Sequence, residues 1–146
     1  MISQNFSIGS FTIHSLFRHS LKAQGGLSVS DIICNLKGLA TNVLDPLINQ
    51  YPNFRINSGF RTFTNGHSQH EKGMAADIQW SGITNREYLE RAKWIAKNLI
   101  YDQLIFEHGN SIWIHISYNR TSSNQRKNVL TMKGGSYEPG LKLYYS

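Results

Sequence analysis

"DQLIFEHGNSIWIHISY", residues 102–118, is the stretch on which the reading of this chain turns. Two apolar-rich runs, "DQLIFE" and "IWIHISY", flank the polar, glycine-containing "HGNS". That is the pattern of two β-strands joined as a hairpin through a loop of four to five residues. Side chains along a strand alternate between its faces. Ile112, Ile114, Ile116 and Tyr118 therefore share one face, and Trp113, His115 and Ser117 share the other. The isoleucines suit a core, so His115 turns to the opposite face, the one on which function is expected. Glu107, across the hairpin, can approach that same face.

Working outward, "NREYLERAKWIAKNL" (85–99) reads as an amphipathic helix capped by Thr84 or Asn85, with Leu89, Ala92, Ile95, Ala96 and Leu99 as its apolar stripe. Residues 28–49 read as a second helix. Ile32, Ile33, Leu36, Leu39, Ala40, Val43, Leu44 and Leu47 recur at spacings of three and four, Ser30 is a candidate cap, Asp31 suits the positive helix N-terminus, and Pro46 ends, kinks or restarts the helix. Residues 54–60 and 74–80 read as strands, with the polar loop "RTFTNGHSQHEKG" between them. Residues 1–27 form a loop-rich N-terminal arm, and the tail from 128 onward is rich in turns. The expectation is a single α+β domain over residues 1–146: an antiparallel sheet of about four strands with two main helices packed on one face.

The 146 residues, 40% hydrophobic and 16% charged, are those of a folded domain with one sizeable core. A formal charge of +6 favours anionic partners such as nucleic acid, acidic lipid or the polymers of a bacterial cell wall. No basic helix or aromatic-basic platform is present, so nucleic acid is not an expected partner. No apolar run approaches the roughly 18 residues of a membrane span, so no membrane insertion is expected. The N-terminus, which carries His14 and His19, lacks the pattern of a secretory signal, so synthesis and folding in a cytoplasm are expected. Cys34, the single cysteine, lies in the apolar helical pattern and reads as a small core residue.

The chemistry gathers in "SQHEKGMAADI", residues 68–78. Gly73 permits a sharp turn or a close backbone approach. Asp77 emerges on a strand of small and apolar neighbours, where an ionised carboxylate is costly unless it is paired or binds a metal. His70, Asp77 and His115 form a common zinc donor set, and three protein ligands leave one position open, as in catalytic sites. Glu107 could then accept a proton from the attacking water. The helical HExxH signature is absent, so this would be another class of zinc hydrolase. Trp113 either walls the site or packs on the sheet. His67 faces solvent or substrate, Glu71 and Lys72 read as a solvated turn, and the terminal "KLYY" reads as a packed end.

"SQHEKGMAAD" resembles the SxHxxGxAxD motif of the zinc D-alanyl-D-alanine carboxypeptidases and related murein endopeptidases, and "WIHIS" resembles their second metal motif. "VLDPL", "INSGFRT", "DQLIFE" and "WIHISY" follow in the order of the short, phage- and bacteria-borne branch, from about residue 11 to the end. The resemblance implies a hedgehog/D-Ala-D-Ala-peptidase-like fold and one zinc ion on His70, Asp77 and His115. It implies that Arg61 steadies a substrate carbonyl or carboxylate and that Ser68 binds substrate or holds the loop. Several members carry an acid three positions before the last ligand; here that residue is Ile112. Glu107 resembles instead the glutamate that faces the last ligand across the hairpin in the hedgehog signalling domain, which makes it the expected base, with His108 as the alternative. The implied activity is hydrolysis of the peptide stems of peptidoglycan, as a D-Ala-D-Ala carboxypeptidase or an L-Ala-D-Glu type endopeptidase. The setting would be a phage endolysin released by a holin, or a virion component among phage structural proteins. The alternative expectation is a non-catalytic zinc-binding module of a phage particle, which the aliphatic Ile112 favours.

Overall fold

The computed structural model describes residues 1–12 and 20–144; His14, His19 and Tyr145 lie outside the described residues. The element order is α1 (Ile8–Thr12), α2 (Val29–Leu39), a π-helical turn (Ala40–Leu44), α3 (Asp45–Gln50), β1 (Arg55–Ser58), a 3-10 turn (Gln69–Lys72), β2 (Ala75–Gln79), α4 (Asn85–Asn98), β3 (Gln103–His108), β4 (Ile112–Ser117), β5 (Asn128–Lys133) and β6 (Ser136–Pro139).

The sheet corrects the expectation of about four antiparallel strands. It has six strands in the order β1-β2-β4-β3-β5-β6, and β3 and β5 run parallel. The reason lies in the tail. Strand β4 ends beside the start of β3, where the Asp102 amide donates to the Ser117 carbonyl at 2.8 Å. The connection over residues 118–127 stays at that end of the sheet and steps past β3. A strand that begins where β4 stops must run opposite to β4, and so parallel to β3. Gly134 and Gly135, at φ +57° and +80°, then turn β5 back into β6, as a Gly-Gly hairpin turn requires.

The hairpin seen in the sequence forms with a shorter loop than expected. His108 pairs with Ile112, leaving Gly109–Ser111 as the turn, closed by the Gly109 amide on the Ser111 carbonyl at 2.9 Å. The face alternation holds. Ala76, Ile78, Leu104, Phe106, Ile114 and Ile116 form one face of the sheet and share a single buried core with Ile32, Leu36, Leu39, Leu44, Leu47, Ala92 and Ile95 of the helices. Burying each such leucine or isoleucine contributes about 1.5–3 kcal/mol.

Two local readings change, the helix cap and Cys34, while Pro46 takes one of its expected roles by restarting the helix. Ser28, not Ser30, caps α2, in a reciprocal box with Asp31. The helix continues through a π turn and restarts at α3, with Pro46 in the first turn of α3, where its missing N–H costs nothing. Cys34 is exposed. It stands two residues from both Ile32 and Leu36, about 200° around the helix, and so faces away from the core. Within α4 the buried positions are Tyr88, Ala92 and Ile95, while Leu89 and Ala96 are only partly covered. The N-terminal arm is fastened to the body. Asp45, itself buried, accepts hydrogen bonds from Ser3 Oγ, the Gln4 and Asn5 amides and Asn5 Nδ2 at 3.1–3.2 Å. No helix among the described residues is long and apolar enough to cross a membrane.

Candidate metal centre

The open face of the sheet carries the site. Ser58 of β1 lies opposite Asp77 of β2, Asp77 opposite His115 of β4, and His115 opposite Ile105 of β3. One cross-strand row thus sets Asp77 beside His115. His70 descends onto the pair from the 3-10 turn, which Ser68 caps through its Oγ on the His70 amide at 3.2 Å. Gly73 ends that turn at φ +74°, and a Cβ there would lie 2.8 Å from the Ile32 carbonyl oxygen, so both uses expected of this glycine are realised.

The three side chains converge. His70 Nε2 lies 3.2 Å from His115 Nδ1 and 3.3 Å from Asp77 Oδ1, and His115 Nδ1 lies 3.1 Å from the same oxygen. The group is buried and could hold a metal ion. Burial alone would raise the Asp77 carboxyl, but hydrogen bonds and charge from His115 and His70 outweigh it and hold the carboxyl below the usual range.

The orientation of His70 is fixed from behind. Its Nδ1 lies 2.8 Å from the Gly59 carbonyl, which assigns the hydrogen to Nδ1 and leaves the Nε2 lone pair facing the site. A ring so placed aims its Nε2 lone pair at a carboxylate oxygen, an arrangement that a cation between them would suit. Gly59 itself is held against α1: the Phe60 amide donates to the Phe11 carbonyl at 2.8 Å, and a Cβ on Gly59 would come within 2.6 Å of that carbonyl oxygen.

Arg61 serves Asp77. Its Nη2 donates to Asp77 Oδ2 at 2.8 Å and its Nε to Ser58 Oγ at 2.7 Å. The second carboxylate oxygen is therefore occupied, and Oδ1 is the one turned to the histidines. Glu107 lies on the same sheet face, accepts a hydrogen bond from Trp113 Nε1, and is pushed up to about 7 by burial first and the charge of Asp77 second. Trp113 is held over the hairpin turn, where only a glycine at 109 leaves it room. His108 points the other way. It follows Leu104 and Phe106 to the core side, 2% exposed and against the Phe106 ring at 4.4 Å between centroids, so it does not face the site.

A cavity of about 440 Å³ opens over this centre; His67, Ser68, His70, Asp77, Glu107 and His115 line one side of it together with Arg61. Trp113 is not among its lining residues and acts through Glu107. Its other wall is Gln69, Gln103, Ile105, Arg126 and Tyr137, none of which the sequence had marked. Glu71, read from the sequence as part of a solvated turn, is buried. Its carboxylate accepts from the Thr64 amide at 2.8 Å, Thr64 Oγ1 at 2.5 Å and the Gly66 amide at 2.9 Å, and so shapes the loop that delivers His70. Gln24 braces the same loop, donating to the Arg61 carbonyl at 2.8 Å and the Glu71 carbonyl at 2.6 Å. No protein-family model, no curated protein and no solved structure matches this chain.

Proposed function

We propose that this protein is a zinc-dependent peptidase acting on the peptide stems of peptidoglycan. One observation carries the reading: three buried donor atoms, two imidazole nitrogens and a carboxylate oxygen, stand 3.1–3.3 Å apart at the base of an open cavity. Ligand bonds of about 2.0–2.1 Å around a tetrahedral zinc put neighbouring ligands roughly 3.4 Å apart, so the donor set fits that ion. The backing of His70 by Gly59 and of Asp77 by Arg61 is the support such ligands need. The SxHxxGxAxD resemblance adds the substrate class.

A zinc ion held by His70, Asp77 and His115 would supply Lewis acidity to polarise the scissile carbonyl and acidify water. Glu107, on the same face, accepts the proton of the attacking water and returns it to the leaving amine nitrogen. Trp113 keeps that carboxylate turned toward the cavity. Arg61 keeps Asp77 in place, and its side chain, 42% exposed, borders the space the substrate fills. The +6 charge favours approach to an anionic wall.

The test is digestion of purified peptidoglycan with and without a chelator, with mass analysis of the released fragments. Chelator-sensitive cleavage of a stem peptide bond is the expected result. A protein holding one zinc per chain that releases nothing would overturn the catalytic reading in favour of a non-catalytic zinc-binding module, the reading that Ile112 supports.

A further inference from the structure

The far wall of the cavity carries a second charged array that the metal centre does not use. Asp102, just before β3, is 3% exposed. Its Oδ1 accepts the Arg126 amide at 3.0 Å. Its Oδ2 accepts Arg126 Nε at 3.0 Å, Arg126 Nη2 at 2.7 Å and Gln69 Nε2 at 2.9 Å. The Arg126 side chain held in this way is 60% exposed, and Arg126 lines the cavity, whereas Asp102 does not. The carboxylate therefore sits behind the guanidinium, whose Nη1 takes no part in these bonds.

An arginine fixed along one edge has given up its rotamer freedom before any ligand arrives, and its remaining N–H groups suit a carboxylate. The other guanidinium on the cavity, Arg61, has its carboxylate partner Asp77 on the cavity wall, with Glu107 also lining the cavity. Of the two, only Arg126 presents a cation with its counter-charge turned away from the space. Between the ends lie Ile105 and Gln103 of β3, and Gln103 Nε2 is tied to Asn128 Oδ1 of β5 at 2.8 Å. The step from β4 across β3 to β5 is two strand spacings, roughly 10 Å, or about three residues of extended peptide. That length suits a peptide lying across the sheet.

We infer that Arg126, positioned by Asp102 and Gln69, is the residue that selects the substrate, by binding a free carboxylate of a peptide whose reacting bond lies at the metal centre. This rests on the peptidase reading for the reaction, but not for the anion site itself. Soluble stem-peptide fragments released from peptidoglycan are compared as free acids and after chemical amidation of their carboxyls. The wild-type protein is expected to favour the acids by about ten- to a hundred-fold in kcat/KM, the worth of a charge-assisted hydrogen bond. Arg126→Gln should erase that gap while still cutting the amidated fragments; an Arg126→Gln protein that keeps the gap overturns the inference. A second measurement needs neither variant nor turnover. Nitrogen-15 spectra of the wild-type protein follow the Arg126 Nε resonance as each fragment pool is added. A saturable shift with the acids and none with the amidated pool supports the site even in a protein that hydrolyses nothing, and an unmoved Arg126 resonance sinks it.

Discussion

Two buried aspartates stand at opposite ends of the cavity, Asp77 lining it and Asp102 behind the Arg126 guanidinium that lines it, and their surroundings differ in one respect. Asp102 is saturated by hydrogen-bond donors, one on Oδ1 and three on Oδ2. Arg126 and Gln69 hold its carboxyl below the usual range against the burial that would raise it. Asp77 has one oxygen satisfied by Arg61 and turns the other toward two imidazole nitrogens, one of which already has its hydrogen committed to Gly59. The Asp102 carboxylate is satisfied as it stands. The Asp77 cluster groups two ring nitrogens and a carboxylate oxygen with one ring hydrogen already used elsewhere, a set that could hold a cation. A buried carboxylate thus becomes a candidate metal ligand when ring nitrogens, and not a full set of N–H donors, gather on one of its oxygens.

The largest expected effect separates the two clusters directly. Zinc at a hundred times its dissociation constant stabilises the folded state by about 2.7 kcal/mol, roughly a 10 °C rise in Tm for a chain of this size. His70→Ala should abolish that rise and all hydrolysis. Asp102→Asn should lower the baseline stability by about 2–3 kcal/mol through its lost charge-assisted bonds and leave the zinc-dependent rise intact. Calorimetry with and without zinc reads both, and a zinc response lost in Asp102→Asn would show the clusters to be one unit. Next, Glu107→Gln should cut kcat by about 10²–10⁴ with zinc content unchanged, measured by fragment release and metal analysis. A smaller effect is expected behind the ligands. Arg61→Gln should weaken zinc binding by about ten- to a hundred-fold, read by chelator competition; unchanged affinity would return Arg61 to a purely substrate-facing role.

What the sequence made legible was whatever repeats with a period. The alternation of 112–118 placed His115 on the open face, and the spacing of 28–49 and 85–99 marked the helices. His70 and Asp77 stood out because a carboxylate among alanines needs a reason. The parallel addition of β5 was hidden, since strand direction depends on which end of the sheet a loop returns to, and no residue pattern records that. The Gly134-Gly135 pair is a usable hairpin signal within the turn-rich tail. The cap is Ser28 and not Ser30, and the signal for it is Asp31 three residues on, which completes a capping box. Gly59, Gln24 and Glu71 support the site through backbone carbonyls, amides and close approach, contacts between segments far apart in the chain. Asp102, Gln69 and Arg126 likewise meet only after folding.

A last contrast between the two clusters is drawn through pH. In the metal-free protein Asp77 and Asp102 are held below their ordinary values. Their contribution is present above the unfolded carboxylate range near pH 4 and is lost as pH falls below it. Glu107 has the opposite sign. Its folded pKa, raised from 4.5 to about 7, means the folded state binds more protons than the unfolded one between those values. Stability therefore falls as pH rises through that window. Urea denaturation of the metal-free protein should show a decline from about pH 5 to 7 that Glu107→Gln removes, while the loss below pH 4 persists in both. Zinc should remove the same decline in the wild-type protein, because a divalent cation nearby favours the ionised carboxylate. A decline that survives zinc loading would place Glu107 beyond the reach of the metal's charge, and with it outside the proton transfer assigned to it here.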